Sequence, residues 1–349
     1  MIRELVPTPL NPLAASRDVW QRYHRLRRQR QKESRPDDPI QPDDQVEAGM
    51  KKDNPFEFHH YLEVSREGEM LSSFHGENVS PANPEYPTNK HIFWADAYVR
   101  PDKRRKRIGA MWLPVITDLM DRYGSTVLEM FTDEESGHGF VKWLGASPKM
   151  TEIESRLNLS EVDWPMLERW AADGAKRSPH TTLEIHDGRL PEAMWPEFTP
   201  QLSAMLNTIP FEGLDHGEII VTPEKMRHWY ERMELSGEVQ HMVLTREPDG
   251  TISGITDVTW APYRRSLIHQ QFTGVRPEAR GRGLGKWIKA AMLLHVRRLY
   301  PDASWVSTEN AHSNGAMLKI NRTLGFKAYR TMIDYQMTRE QLETRIRSL

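Results

Sequence analysis

The stretch Arg280-Gly281-Arg282-Gly283-Leu284-Gly285 decides how this chain is read, because of what stands on either side of it. Leu267 to Val275 (LIHQQFTGV) precedes it and predicts a strand. Lys286 to about Tyr300 follows, with Ile288, Met292, Leu293, Val296 and Leu299 at helical spacing. Strand, glycine-rich turn and helix together make an anion-binding device. Glycines let the backbone approach a phosphate, and the N–H groups of a helix start point at it with the positive dipole end behind them. Such turns also serve plain close packing, so the flanking elements must decide. A dinucleotide-binding crossover is disfavoured, because the preceding strands form an antiparallel meander. A Walker-type phosphate loop is excluded, because no Gly-Lys-Ser/Thr follows.

Working outward, 241–246 (HMVLTR) and 251–260 (TISGITDVTW) read as strands joined at Pro248-Asp249-Gly250. Ahead of them, 191–208 and 222–236 read as helices, the second opened by Thr222-Pro223-Glu224. Downstream come a short strand at 304–309, a helix at 314–323 closed by Gly325, and a last strand or hairpin within 326–337. The first half repeats this order. Helices are expected at 16–32 and 42–52, and strands at 57–65, 69–77 and 92–99. Val99-Arg100-Pro101-Asp102 then matches Val275-Arg276-Pro277-Glu278 at an offset of 176, and Leu144-Gly145 matches Leu324-Gly325 at an offset of 180. The period is far longer than a solenoid unit and implies two copies of one domain. The best boundary is Asp173-Gly174 through Pro179, giving domains 1–175 and 182–349.

Composition agrees. At roughly 150 residues per domain, 349 residues suggest two domains. Lys+Arg total 47 against 49 Asp+Glu, leaving −2, so no overall field draws the chain to nucleic acid or acidic lipid. No run approaches the ~18 apolar residues of a membrane span, and the start lacks a signal peptide's apolar core. There is no cysteine, which removes disulfides, thiolate metal sites and sulfur nucleophiles. The expectation is a cytoplasmic protein with no membrane or nucleic-acid partner, monomer or homodimer.

The second half resembles the GCN5-related N-acetyltransferase (GNAT) family, whose motif is Gln/Arg-x-x-Gly-x-Gly/Ala between the fourth strand and third helix. The match extends to Asn314-Gly315-Ala316-Met317-Leu318-Lys319-Ile320-Asn321 closing on Leu324-Gly325-Phe326. The resemblance implies an α/β (α+β) fold: two tandem GNAT units, each a mixed, mostly antiparallel twisted sheet flanked by helices. It implies acetyl-CoA as donor, with its pyrophosphate on the backbone of Arg280, Gly281, Arg282, Gly283, Leu284 and Gly285. Thr273, Gly274 and Val275 would line the pantetheine arm, and Asn314 would hold it from the other side. A lysine-like amine sits near pKa ~10.4 and must lose a proton before attack. Glu309, at a position where some members carry a catalytic Glu, is the best base, with His269 and Gln271 as weaker candidates. The absent cysteine favours direct transfer. Where many members have a Tyr acid, this chain has Asn321, which can hydrogen-bond a thiolate but is a poor proton donor. Water, Tyr329 or Tyr335 is left as the acid.

Alignment of the halves puts Arg104 on Arg280, Arg107 on Gly283, Gly109 on Gly285, Glu129 on Glu309, Glu134 on Asn314 and Val141 on Asn321. An arginine and a carboxylate at such positions disfavour a working site in the first copy. The basic runs 103–107 and Arg25, Arg27, Arg28, Arg30 and Lys32 read foremost as solvated faces. Glu212 and Asp215, on the loop between the two helices of the second half, could bind a cationic amine. No metal is expected, since adjacent His59 and His60 point to opposite faces of a strand. The function expected is acetyl transfer to a small amine. The alternatives are another acyl group, a hydroxyl acceptor, or a non-catalytic acyl-CoA-binding protein.

Overall fold

The computed structural model describes residues 5–348. Residues 1–4 and 349, the outer ends of the two expected repeats, lie outside the described residues. In chain order the first repeat runs β1 (Thr8–Pro9), α1 (Arg17–Ser34), α2 (Asp43–Lys51), β2 (Glu57–Arg66), β3 (Glu69–Val79), the one-turn α3 (Tyr86–Asn89) and β4 (Ile92–Val99). It continues with α4 (Trp112–Tyr123), β5 (Val127–Thr132), α5 (Glu135–Leu144), β6 (Ser147–Asn158) and α6 (Trp164–Arg177). The second runs β7 (Thr182–Asp187), α7 (Trp195–Leu206), α8 (Pro223–Leu235), β8 (Val239–Arg246), β9 (Ile252–Trp260) and β10 (Leu267–Val275). Then come α9 (Leu284–Leu299), β11 (Trp305–Ala311), α10 (Gly315–Leu324), β12 (Lys327–Thr338) and α11 (Arg339–Arg347).

Local chemistry explains most boundaries. Thr222 caps α8 by accepting from Lys225 N, and Pro223 occupies its first turn. Asn314 caps α10 in the same way, and Gly325 ends it at φ +101°. The expected connection at Asp173–Pro179 is instead helical as far as Arg177. Gly174 is buried in that helix because Trp287 of α9 packs against it, and a Cβ there would lie 2.3 Å from the indole. A glycine in a polar stretch signals a break by sequence, and here it signals a close crossing.

The elements condense into two compact units that are not the two sequence halves. The first holds the chain to Thr151 with Glu212–Glu218 and Met332–Leu349, and the second holds Glu152–Phe211 and Ile219–Thr331. In the first, the strand order is β1-β2-β3-β4-β5-β12, antiparallel except for β4–β5. Its last strand comes from the end of the chain, with Ile333 to Thr338 paired on Thr132 to Val127. Phe74, Phe93, Trp112, Ile116, Met120, Leu128, Leu144, Tyr335 and Met337 form its core. In the second, the order is β6-β11-β10-β9-β8-β7, antiparallel except for β10–β11. Leu157, Val243, Val258, Ile268, Ile288, Met292, Val296, Val306 and Leu324 pack between that sheet and α9.

The close α6–α9 crossing is testable. Gly174→Val should lower stability by about 1–3 kcal/mol through overpacking, read as a lower urea midpoint with unchanged slope; an unchanged midpoint would show that the crossing gives way.

Candidate active site

The site is built on an irregularity in β10. Gln270 pairs with Val258 and Thr273 with Thr256, so Gln271 and Phe272 together face Asp257, a β-bulge. The extra backbone N–H, of Phe272, donates to Asp257 Oδ1 at 3.0 Å, and Gln240 Nε2 donates to Asp257 Oδ2 at 2.8 Å. Gln240 in turn accepts from Tyr230 Oη at 2.7 Å. Gln270 Nε2 closes the bulge from the other side, donating to the Asp257 carbonyl at 2.7 Å. Asp257 is buried among these neutral donors, and that burial raises its pKa to about 6.

Past the bulge the strands part. β10 and β11 pair in parallel only over Leu267–Gln270 and Trp305–Thr308. Beyond that, Thr273 to Val275 stay on β9 while Glu309 to Ala311 follow β6. The edge of β10 turned from β9 therefore carries no strand over the three residues expected to line pantetheine. The Thr273 hydroxyl is tied to that of Thr256 at 2.8 Å, leaving its backbone to face the gap. Gly274 is required here, since a Cβ would lie 2.3 Å from the Phe272 ring.

The turn follows directly. Gly281 and Gly283 take φ of +81° and +85°, the left-handed region that favours glycine. Among the described residues no acceptor takes the N–H groups of Gly281 to Gly285, the orphan donors of a helix start. Gly285 packs closely, its absent Cβ lying 3.4 Å from Ile320 and 3.6 Å from Val275. Arg280 Nε donates to the Val275 carbonyl at 3.2 Å, and its Nη2 reaches Thr208 Oγ1 at 3.4 Å. Arg177, at the end of α6, brings its guanidinium to 3.4 Å from the Cβ position of Gly283. Neither arginine has an ion-pair partner among the described residues. Arg282 differs, being engaged by Glu247 at 3.0 Å and Thr181 at 2.5 Å, so only its backbone faces the turn. Arg177 escaped the sequence reading because α6 lies a hundred residues upstream and its basic end looks like any helix terminus.

The first copy keeps the backbone leading into this turn but not the helix start, since a 3-10 turn at Gly109–Met111 precedes α4, and it changes the charges. Arg100 and Arg276 have φ, ψ of −49°, 138° and −51°, 136°; Arg104 and Arg280 have −65°, 160° and −64°, 161°. Arg104 Nε donates to Val99 O as Arg280 does to Val275 O. Arg105 and Arg107 even hold the left-handed φ of the two glycines, at +60° and +63°. Arg104, however, is paired with Glu33 at 2.5 Å and lies 3.5 Å from Glu134. Arg104 is thus neutralised, while Arg105, Lys106 and Arg107 beside it stay exposed. The basic face of α1 is largely paired as well, Arg27 and Arg28 with Asp43 and Arg30 with Asp96.

The remaining candidates separate. Glu309 is exposed and stands in register opposite Glu154, whose carboxylate is buried against Arg156 at 3.0 Å. Asn310 turns to the other face. Asn314 uses its Oδ1 as the α10 cap, on Met317 N at 3.3 Å, which leaves its amide N–H groups for other partners. Asn321 is buried, accepting from Lys289 Nζ at 2.6 Å and donating to Asn310 Oδ1 at 2.7 Å. His269 lies in the paired stretch of β10, not in the gap, and Gln271 donates to Thr259 Oγ1 at 3.3 Å. Tyr335 sits in the core of the first unit with its hydroxyl 3.0 Å from His138 Nδ1, and the Tyr329 ring stacks under Arg156. Glu212 and Asp215 belong to the first unit, with Glu129 and Asp334. Burial, then the Glu129 charge, raises the Asp334 pKa to about 6.

His59 and His60 do face opposite ways, His60 to Asn78 and His59 to His75 at 3.1 Å. Glu77 lies 3.4 Å from the same His59 nitrogen. Burial holds His75 down at about 4, and the ring nitrogens meet at hydrogen-bond distance. Asp187 accepts from His241 and His295 at 2.6 and 2.5 Å, also hydrogen-bond geometry.

No family model matches the chain, and no curated protein does. Solved structures do. A tandem GNAT protein from the clavulanic acid biosynthesis pathway, solved without acetyl-CoA, superimposes with TM-score 0.73 over 96% of this chain and 99% of that one, at 18% identity. A GCN5-related N-acetyltransferase from Sphaerobacter thermophilus gives 0.62 over 96% of both chains at 14% identity. Saccharomyces cerevisiae N-myristoyltransferase with bound myristoyl-CoA gives 0.57 over 97% of this chain and 79% of that one at 10% identity. The chain has the tandem GNAT fold. Among the described residues no helix is long and apolar enough to cross a membrane.

The buried carboxyl under the bulge makes a pH prediction. Its pKa stands at about 6 when folded, against about 3.9 for an ordinary aspartate. Between these the unfolded chain binds fewer protons, so the Asp257 contribution to stability falls as pH rises through the window and is level above it. Asp257→Asn should remove up to about 3 kcal/mol of that slope. Urea denaturation of both proteins across pH 4–7 checks it, and identical slopes would refute it.

Proposed function

We propose that this protein is an acyl-CoA-dependent acyltransferase, an acetyl-CoA N-acetyltransferase for a small amine, working from the second repeat (182–349) by direct transfer. The first repeat (1–175) would serve as structure. The observation that carries the reading is the contrast between the copies. The two turns share the backbone leading into them and differ in that Arg104 is matched by Glu33 and Glu134, whereas among the described residues no carboxylate pairs with Arg280 or Arg177. A run of free N–H groups between two unmatched guanidiniums suits a pyrophosphate.

The residues present fit acetyl-CoA. Glycine at 283 leaves open the approach that a side chain would fill, and the unpaired edge of Thr273, Gly274 and Val275 suits an extended amide-bearing arm. The amide N–H groups of Asn314 suit its carbonyls. When bound, acetyl-CoA supplies an activated thioester. The backbone N–H groups at the strand edge would polarise its carbonyl, and Glu309 would take the acceptor's proton directly or through water. Asn321 would act by hydrogen bonding, since an amide is a poor acid. The absence of cysteine supports transfer without a thioester on the protein.

Calorimetry with acetyl-CoA tests the site. Gly283→Glu should abolish detectable binding, by placing a side chain and a like charge against the pyrophosphate. Arg177→Ala, exposed and structurally mild, should weaken binding about tenfold, in line with one charge-assisted contact. Unchanged affinity in both variants would overturn the assignment. Thiol release on an amine panel then separates a transferase from a binding protein.

A further inference from the structure

Lys289 lies on α9 one turn beyond Gly285, which faces Val275 of β10 and Ile320 of α10. A side chain four residues on shares that helix face. It is 1% exposed. Its Nζ bonds Asn321 of α10, and Asn321 bonds Asn310, which stands where β11 has left β10 for β6. This chain of three side chains ties the motif helix, the residue at the expected acid position and the parted strand. An ammonium has three N–H donors, and Asn321 takes one of them. Its ammonium also lies over the Phe326 ring, 5.3 Å from the centroid. Among the described residues no other oxygen or nitrogen acceptor and no carboxylate meets Lys289, and no charged group on a neighbouring element acts on it: burial alone lowers its pKa, to about 7. Methionine would fill the same space without desolvating a charge, so packing does not explain a lysine here.

We propose that Lys289 gives its proton to the sulfur that leaves the thioester, with Asn321 and Asn310 as positioning residues. The proposal rests on the acyltransferase reading above. Lys289 releases a proton to sulfur as the C–S bond breaks and the C–N bond to the acceptor forms. The acceptor's own proton leaves to a base on its side, and Lys289 recovers a proton from solvent. The direction is downhill, since a free thiol has a pKa of about 8.5, and an ammonium in a dry site also stabilises the charge developing on sulfur.

The first test is the pH profile of turnover on whichever amine is accepted. A proton donor with a pKa of about 7 should make wild-type turnover fall as pH rises above that value, and Lys289→Met and Lys289→Gln should abolish that limb. Acetyl-CoA affinity should stay within threefold. Turnover should fall about a hundredfold or more. Lys289→Met leaves the Asn321 carbonyl unpaired, so Lys289→Gln, which can still donate to it, is the structural control: its melting temperature should stay near that of wild type while its turnover falls. The proposal is overturned if wild type and variants share one pH profile, or if the variants keep full turnover. If wild type fails to bind acetyl-CoA at all, the acyltransferase reading itself falls, an outcome distinct from the other two.

Discussion

A single buried carboxylate, Asp257, sets the shape on which the candidate site depends. By accepting the N–H of Phe272 it makes a two-against-one bulge tolerable in the middle of a buried sheet, where that donor would otherwise be unpaired. β10 stays on β9 and β11 stays on β6 on both sides of this point, and it is at the bulge that the pairing between β10 and β11 ends and the gap opens. Gln240 and Tyr230 hold the carboxyl in place from behind, so the geometry of the gap is braced by α8 as well as by the sheet.

The two copies differ less in the backbone leading into the turn than in the partners of its first arginine. Dihedrals of Arg100 and Arg276, and of Arg104 and Arg280, agree within a few degrees, and Arg105 and Arg107 hold left-handed φ of +60° and +63° where Gly281 and Gly283 stand at +81° and +85°. What differs is the charge at the turn. In the first copy Glu33, reaching from α1, and Glu134 complete Arg104. In the second, the positive ends of Arg280 and Arg177 are left to solvent or ligand. An arginine motif therefore says little about anion binding until its partners are known.

Much of this was legible in the sequence. The turn, the meander before it, the helix after it and the doubling of the order all follow from local periodicity and turn chemistry, and the elements given expected ranges lie within a few residues of them, whereas β6, β7 and α11 were not anticipated. Glycine was informative at 283 and misleading at 174, where the same residue marks a helix crossing under Trp287. Lys289 was overlooked, although a lysine set among Ile288, Met292 and Leu293 on an apolar face was a signal in plain view. Asn321 was noticed for the tyrosine it replaces, but its partners on α9 and β11 could not be read from spacing.

By itself the sequence determined the kind of elements, their order, the repeat and the phosphate-type turn, because these depend on residues within one or two turns of one another. The tertiary structure alone decided that the final strand pairs with β5, some two hundred residues earlier, so that each compact unit draws on both halves of the chain. It also decided which arginines are neutralised and which lysine is dry. Pairing register, ion-pair partners and desolvation are set by groups far apart in the chain, and they exist only once packing has brought those groups together.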